Sequence, residues 1–225
     1  MYLSSGWILL MVVSMVLGLV TQGWVNAAFR RWSRVGLATG LSGAQVARAM
    51  LDQAGLRDVG IEMIGGSLTD HYDPRARMLR LSQPVYEGRS VASAGVASHE
   101  AGHAVQHARA YAPAQLRQAL VPAAQIGSQA AFPLIFLGVF LNFTAMAWLG
   151  IIVFAAAVLF QVVTLPVEFD ASHRALASLS ATSAIPVEQV SGARQVLSAA
   201  AMTYLAATLI AVLQLLYFVG LARRN

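Results

Sequence analysis

The sequence contains no cysteine and no lysine. Without cysteine there is no disulfide framework, no thiolate metal ligand and no thiol nucleophile. Charge is also scarce. Only 11% of the 225 residues are charged, with 15 basic residues (all arginine) against 10 acidic ones. That is far from the make-up of an average soluble domain. The net charge of +5 does not describe a nucleic-acid surface, because the arginines cluster beside apolar segments, where they act as topology determinants. What remains is apolar: 57% hydrophobic residues and a mean hydropathy of +0.62 point to an integral membrane protein.

Four uncharged stretches are long enough to span a bilayer. Trp7 to Val25 is the first, and it reads as a retained anchor within residues 1–25. It is not a signal peptide in this reading, since no Lys or Arg precedes it and it exceeds the usual apolar core of one. Arg30, Arg31 and Arg34 follow at once, with Trp24 and Trp32 as interfacial aromatics. No charge occurs between Ala119 and Val167, which fits two helices at about 120–141 and 145–166 turning near Asn142-Phe143-Thr144. Ser198 to Leu221 is the last, within residues 198–225. The expected fold is an α-helical integral membrane protein of about four transmembrane helices. A small α+β zincin-like catalytic domain, residues 26–119, lies between the first and second spans, and a polar segment, 167–197, lies between the third and fourth.

Within 26–119 the elements can be read one by one. Ser42 is an N-cap for a helix through Ala54, stopped by Gly55. Val59 to Ile64 and Met78 to Leu81 read as short strands, Gly65-Gly66 as a turn and Pro84 to Gly88 as a loop. From Arg89 to Tyr111 there is no proline, and alanine and valine abound, so a helix is expected there.

That helix carries His99-Glu100-Ala101-Gly102-His103, an H-E-x-x-H pattern. Positions four apart share one helix face, about 6 Å apart along the axis. Two imidazoles so placed can converge on one Zn2+ at ~2.0–2.1 Å each. Glu100 can then act as general base toward a water whose pKa zinc lowers toward ~7. Gly102 leaves room beside the metal for another element to approach. Three of the five histidines (His99, His103, His107) fall within nine positions, which argues against coincidence.

A hydrolytic zinc site needs a third protein ligand. His107 sits one helical turn beyond His103, and no helix-breaking glycine turns it back, so it reads as a surface or supporting histidine. Glu168, just past an apolar helix, returns to the side of the membrane that holds residues 99–103 if spans two and three form a hairpin. Taken alone it is either a ligand or an interfacial carboxylate. Asp70 to Pro74, with His71 and Tyr72, is either a polar turn or part of the chemistry.

The histidine motif, Leu68-Thr69-Asp70-His71-Tyr72-Asp73-Pro74 and Val167-Glu168-Phe169-Asp170-Ala171-Ser172 together resemble the YugP-like family of zinc-dependent membrane peptidases. More distantly the layout is similar to HtpX-type and CAAX-prenyl proteases, which are gluzincins. The resemblance implies Glu168 as third zinc ligand, from a Glu-x-x-x-Asp element in which Ser172 stands where the Asp would be. Asp170 or His173 could take that carboxylate's place. It further implies that the strand over 77–81 borders the cleft and pairs with extended substrate. His71 or the Tyr72 hydroxyl would then stabilise the oxyanion, with Arg174 a weaker candidate.

The expected function is therefore that of an integral-membrane zinc metallopeptidase, an endopeptidase hydrolysing peptide bonds of membrane-associated or unfolded proteins. The rival is a catalytically idle membrane scaffold or adaptor with a structural zinc site. Expected partners are a protein or peptide substrate and the lipid bilayer, with a membrane-protein regulator or a second copy beyond those, and no nucleic acid. Arg30, Arg31, Arg34, Arg109, Arg117, Arg174 and Arg194 on the catalytic side, against Arg223 and Arg224, predict a multi-pass inner (plasma) membrane protein whose catalytic domain faces the cytoplasm.

Overall fold

The computed structural model describes residues 5–181 and 186–223. In chain order the elements are α1 (Ser5–Ser33), α2 (Gly43–Gln53), β1 (Gly60–Ile64), β2 (His71–Asp73), β3 (Met78–Ser82), α3 (Gln83–Tyr86), α4 (Val91–Ala108), α5 (Ala112–Phe140), α6 (Thr144–Ala181) and α7 (Val187–Ala222). Four of these, α1, α5, α6 and α7, are long and apolar enough to cross a membrane, matching the expected number. The chain divides into two compact units.

The first unit comprises Met1–Thr21, Pro113–Pro166 and Thr203–Asn225. Its core is aromatic and aliphatic: Ile135, Ile151, Phe154 and Phe218 are buried, with Trp7, Phe132 and Phe136 packed against them. Small residues bring backbones together. A Cβ at Gly127 would meet the Val153 carbonyl of α6 at 2.6 Å. Outward-facing positions are apolar too: Leu19, Phe140, Ile152 and Leu216 are each more than 60% exposed. Such a surface suits helices that face lipid and associate through small residues and close packing. Asn142 turns α5 into α6 with a left-handed φ of 53°, which asparagine tolerates better than most residues.

The second unit comprises Gln22–Ala112 and Val167–Met202. Its sheet has the order β1-β3-β2, with β1 parallel and β2 antiparallel to β3. Leu79 and Leu81 of β3 are fully buried against Leu51 of α2 and Ala97, Ala101 and Ala104 of α4. Ser42 caps α2 in a capping box with Gln45, and Gly55 ends it with a φ of +78°, as expected. A second core joins Leu37, Val46, Val91 and Ala94 to Leu179 and Val190.

Three local expectations differ from what is found. The segment expected as a loop at Pro84 to Gly88 begins with the single helical turn α3, where the fixed φ of Pro84 suits the first turn. Asp70 to Pro74 is more than a polar turn, because His71–Asp73 form β2. The apolar helices run past their uncharged cores: α6 continues through Pro166 and the acidic residues to Ala181, and α7 begins at Val187. The polar segment is thus largely helical over its described part. Residues 182–185, the Glu188 side chain and Arg224 lie outside what the structure describes.

Candidate metal centre

The site is made by α4 and the polar end of α6. The α4 sequence is rich in alanine and glycine, so it is buried on most of its circumference without bulk. It comes close to α6 at Gly102, where a Cβ would stand 2.7 Å from the Ala171 carbonyl oxygen. Any side chain at position 102 would push the two helices apart. The closeness brings Glu168 to the face that carries His99 and His103.

The three side chains meet. Glu168 Oε2 lies 3.2 Å from His99 Nε2 and 3.6 Å from His103 Nε2. Ligand atoms at ~2.0–2.2 Å from a tetrahedral zinc are separated by ~3.3–3.6 Å, so these spacings fit such an ion. All three ligating atoms lie within 4.8 Å of one another. Among the described residues no fourth His, Asp or Glu joins the group. Glu168 is 3% exposed, and a carboxylate so buried needs cationic partners. Facing two imidazoles, it is poised for a metal cation.

The outward ring nitrogens are held by neutral groups. Gln106 is buried, and its Nε2 donates to the Val167 carbonyl at 2.7 Å and to Asp170 Oδ2 at 2.8 Å. Two acceptors on one side fix the amide's orientation, which leaves Oε1 to accept from His103 Nδ1 at 2.9 Å. In the neutral ring the proton then sits on Nδ1, which leaves Nε2 with a lone pair to offer a metal. Arg174 Nε in turn donates to Asp170 Oδ2 at 2.6 Å, and its guanidinium lies over the Tyr111 ring. His99 Nδ1 pairs with Ser172 Oγ at 3.1 Å. Ser172 therefore serves where a carboxylate would stand in a Glu-x-x-x-Asp element, and Asp170 acts on the other histidine, one residue removed, through Gln106. Burial works against a charged His103. The hydrogen bond to Glu168 and the charges of Glu100 and Glu168 outweigh it, so its pKa is raised.

Glu100 is buried on α4 one residue beyond His99. His107 is exposed and lies outside the group, with its Nδ1 2.9 Å from the Tyr72 hydroxyl. Burial pushes the Tyr72 phenol above its ordinary pKa. His71, on β2, donates from Nδ1 to the Thr69 carbonyl at 2.9 Å. Burial likewise pushes the Asp70 carboxyl up, although Ser82 donates to it from its backbone N–H at 2.7 Å and from its hydroxyl. β3 is the central strand, paired with β1 along its length and with β2 at Met78, Leu79 and Arg80, so it has no open edge over those three residues. The expectation that residues 77–81 pair with an extended substrate is not met there, and the free edges belong to β1 and β2.

Sequence reasoning missed Gln106. Its signal was positional: it follows His103 by three residues, on the same helix face.

Comparison with known proteins agrees with this geometry. The profile of a family described as "Putative neutral zinc metallopeptidase" matches residues 7–223. A relative from Bacillus subtilis (strain 168), "Putative membrane protease YugP", is 46% identical over 213 residues, covering 94% of each chain. No solved structure matches.

Proposed function

Because the chain belongs to this neutral zinc metallopeptidase family, we propose that it is an integral-membrane endopeptidase of the gluzincin type, cleaving membrane-associated or unfolded proteins. The observation that carries the reading is the convergence of Glu168 on His99 and His103, across 69 positions of sequence.

In this reading His99 Nε2, His103 Nε2 and a Glu168 carboxylate oxygen hold the ion. Zinc bound there would supply Lewis acidity, which makes water at the site easier to deprotonate. Glu100 accepts a proton from the attacking water at its carboxylate and later returns it to the leaving amine nitrogen. Gln106 and Ser172 hold the two imidazoles so that each keeps its Nε2 lone pair toward the ligand position. Of the two oxyanion candidates on β2, Tyr72 is the better. Its hydroxyl can leave His107 and donate to the developing charge, whereas a neutral His71 with its proton on Nδ1 has no donor left at Nε2. Extended substrate would pair with the outer edge of β2, next to Tyr72. The absence of a fourth ligand among the described residues supports an open, catalytic site over the closed site that an idle scaffold would keep.

The test is Glu100→Gln. The amide keeps the shape but cannot take the proton. We expect about one zinc per chain in both parent and variant, with peptidase activity on an unfolded substrate at least ~100-fold lower in the variant. Substantial turnover by the variant would remove Glu100 from the role of base.

The arginine distribution supports an inner-membrane protein with the catalytic unit in the cytoplasm. A reporter active only in the periplasm, fused near Gly65, is then silent. A strong signal there would reverse the orientation.

A further inference from the structure

A second concavity lies apart from the His–His–Glu group. It is a cleft of about 450 Å3, and Phe29 and Arg30 of α1 and Arg34 just past its end line it together with Arg89 and Ser90 just before α4 and Ser93 in its first turn. Three arginines line this space, and among the described residues no acidic residue does. Carboxylates elsewhere pair with Arg48, Arg77, Arg80 and Arg174. Glu87, nearest in sequence, accepts from the Gln83 side chain instead. The side chains of Arg30 and Arg34 make no hydrogen bond or ion pair with the described residues. Arg89 is tied down by one bond, from Nη1 to the Gly40 carbonyl, which leaves further donors on the same guanidinium. A cluster of like charge without counter-charge repels itself unless an anion fills it. The fork of arginine suits one anion above others, a phosphate held by paired N–H donors.

The place of the cleft in the chain identifies where that phosphate comes from. The described part of α1 carries no charge before Arg30, and its Leu9, Leu19 and Val20 are each at least 60% exposed, so it presents apolar side chains outward. Arg30 follows Val25, the end of the apolar stretch, by about 7.5 Å along the helix, and Arg34 lies just past the helix end at Ser33. The headgroup layer on each side of a ~30 Å hydrocarbon core is about 5–8 Å thick. Arg30 therefore stands at the outer side of the headgroup layer, and long arginine side chains reach back from there toward lipid phosphates, with Phe29 lining the same cleft.

We propose that this cleft binds the phosphate headgroup of an anionic phospholipid of the phosphatidylglycerol type. The inference goes beyond the peptidase reading and does not depend on it. It requires only that α1 sits in the bilayer.

The experiment uses the full chain, delipidated in detergent and titrated with phosphatidylglycerol or phosphatidylcholine, with bound lipid counted by native mass spectrometry. The parent is expected to hold phosphatidylglycerol in preference to phosphatidylcholine. Arg30→Gln, Arg34→Gln and Arg89→Gln combined should weaken phosphatidylglycerol binding on the order of 100-fold, at roughly fivefold per guanidinium near an anionic surface. Arg57→Gln with Arg75→Gln, two exposed arginines outside the cleft, should leave binding unchanged. Zinc content reports that each variant is folded. If the triple variant does not fold, Arg34→Gln alone is read, with about a fivefold loss expected. Parent-like binding by the cleft variant overturns the proposal, as does an equal loss in the Arg57 and Arg75 control. Displacement of the lipid by millimolar inorganic phosphate would also overturn it, by showing a site for the free anion.

Discussion

In the apolar unit, Trp7, Phe132, Phe136, Phe154, Tyr217 and Phe218 meet ring against ring, with centroids 5.3 to 6.2 Å apart. In the polar unit, the side chains around His103 meet donor to acceptor, from Arg174 through Asp170 and Gln106 to the imidazole. The first arrangement is held by contact area and tolerates small shifts. The second is directional: removing one member leaves a buried polar group without its partner. Stability should therefore be concentrated in the aromatic cluster, and metal affinity in the hydrogen-bonded chain.

The largest separation is expected from Phe218→Ala. Phe218 is fully buried at the centre of the rings, and its loss opens a cavity that costs on the order of 3–5 kcal/mol. Thermal unfolding in detergent should move to clearly lower temperature, while the zinc affinity of the folded variant stays that of the parent. A large drop in affinity would erase the contrast between the two units.

Gln106→Leu probes the other side with a smaller effect. Leucine keeps the bulk but accepts nothing from His103 Nδ1 and leaves the Val167 carbonyl and Asp170 without their donor. Zinc affinity should fall roughly 10–100-fold, the usual cost of losing a group that orients a ligand. Competition with a chelator measures it. Parent-like affinity would mean that the imidazole needs no such support.

The sequence made some of this plain and hid the rest for physical reasons. His99, Glu100 and His103 were legible because the helical repeat itself sets the four-residue spacing. The four apolar helices were legible from missing charge, but their ends were not. Nothing in Val167–Ala181 breaks a helix, so α6 runs on where hydropathy stops. Pro166 does not break it either, as lipid-embedded helices often tolerate proline. Ser82 before Gln83-Pro84 carried the start of α3 in a form that could have been read. β2 could not be read that way. It is three residues long and exists through its pairing with β3. Glu168 showed only as an acid after an apolar run. What makes it a ligand candidate is Gly102, which lets α6 approach α4, and that contact joins positions 69 residues apart.

The central claim is that Glu168 completes the metal site, and its most direct test is a chelator-competition titration of zinc against the parent, Glu168→Ala and His107→Ala. Glu168→Ala leaves two imidazoles and solvent, so its affinity should fall steeply, well beyond the ~10–100-fold expected for a supporting residue. His107→Ala removes an exposed partner of Tyr72 and should bind zinc much like the parent. Parent-like binding by Glu168→Ala, with the loss appearing in His107→Ala instead, would contradict the account and make the ligand set three histidines.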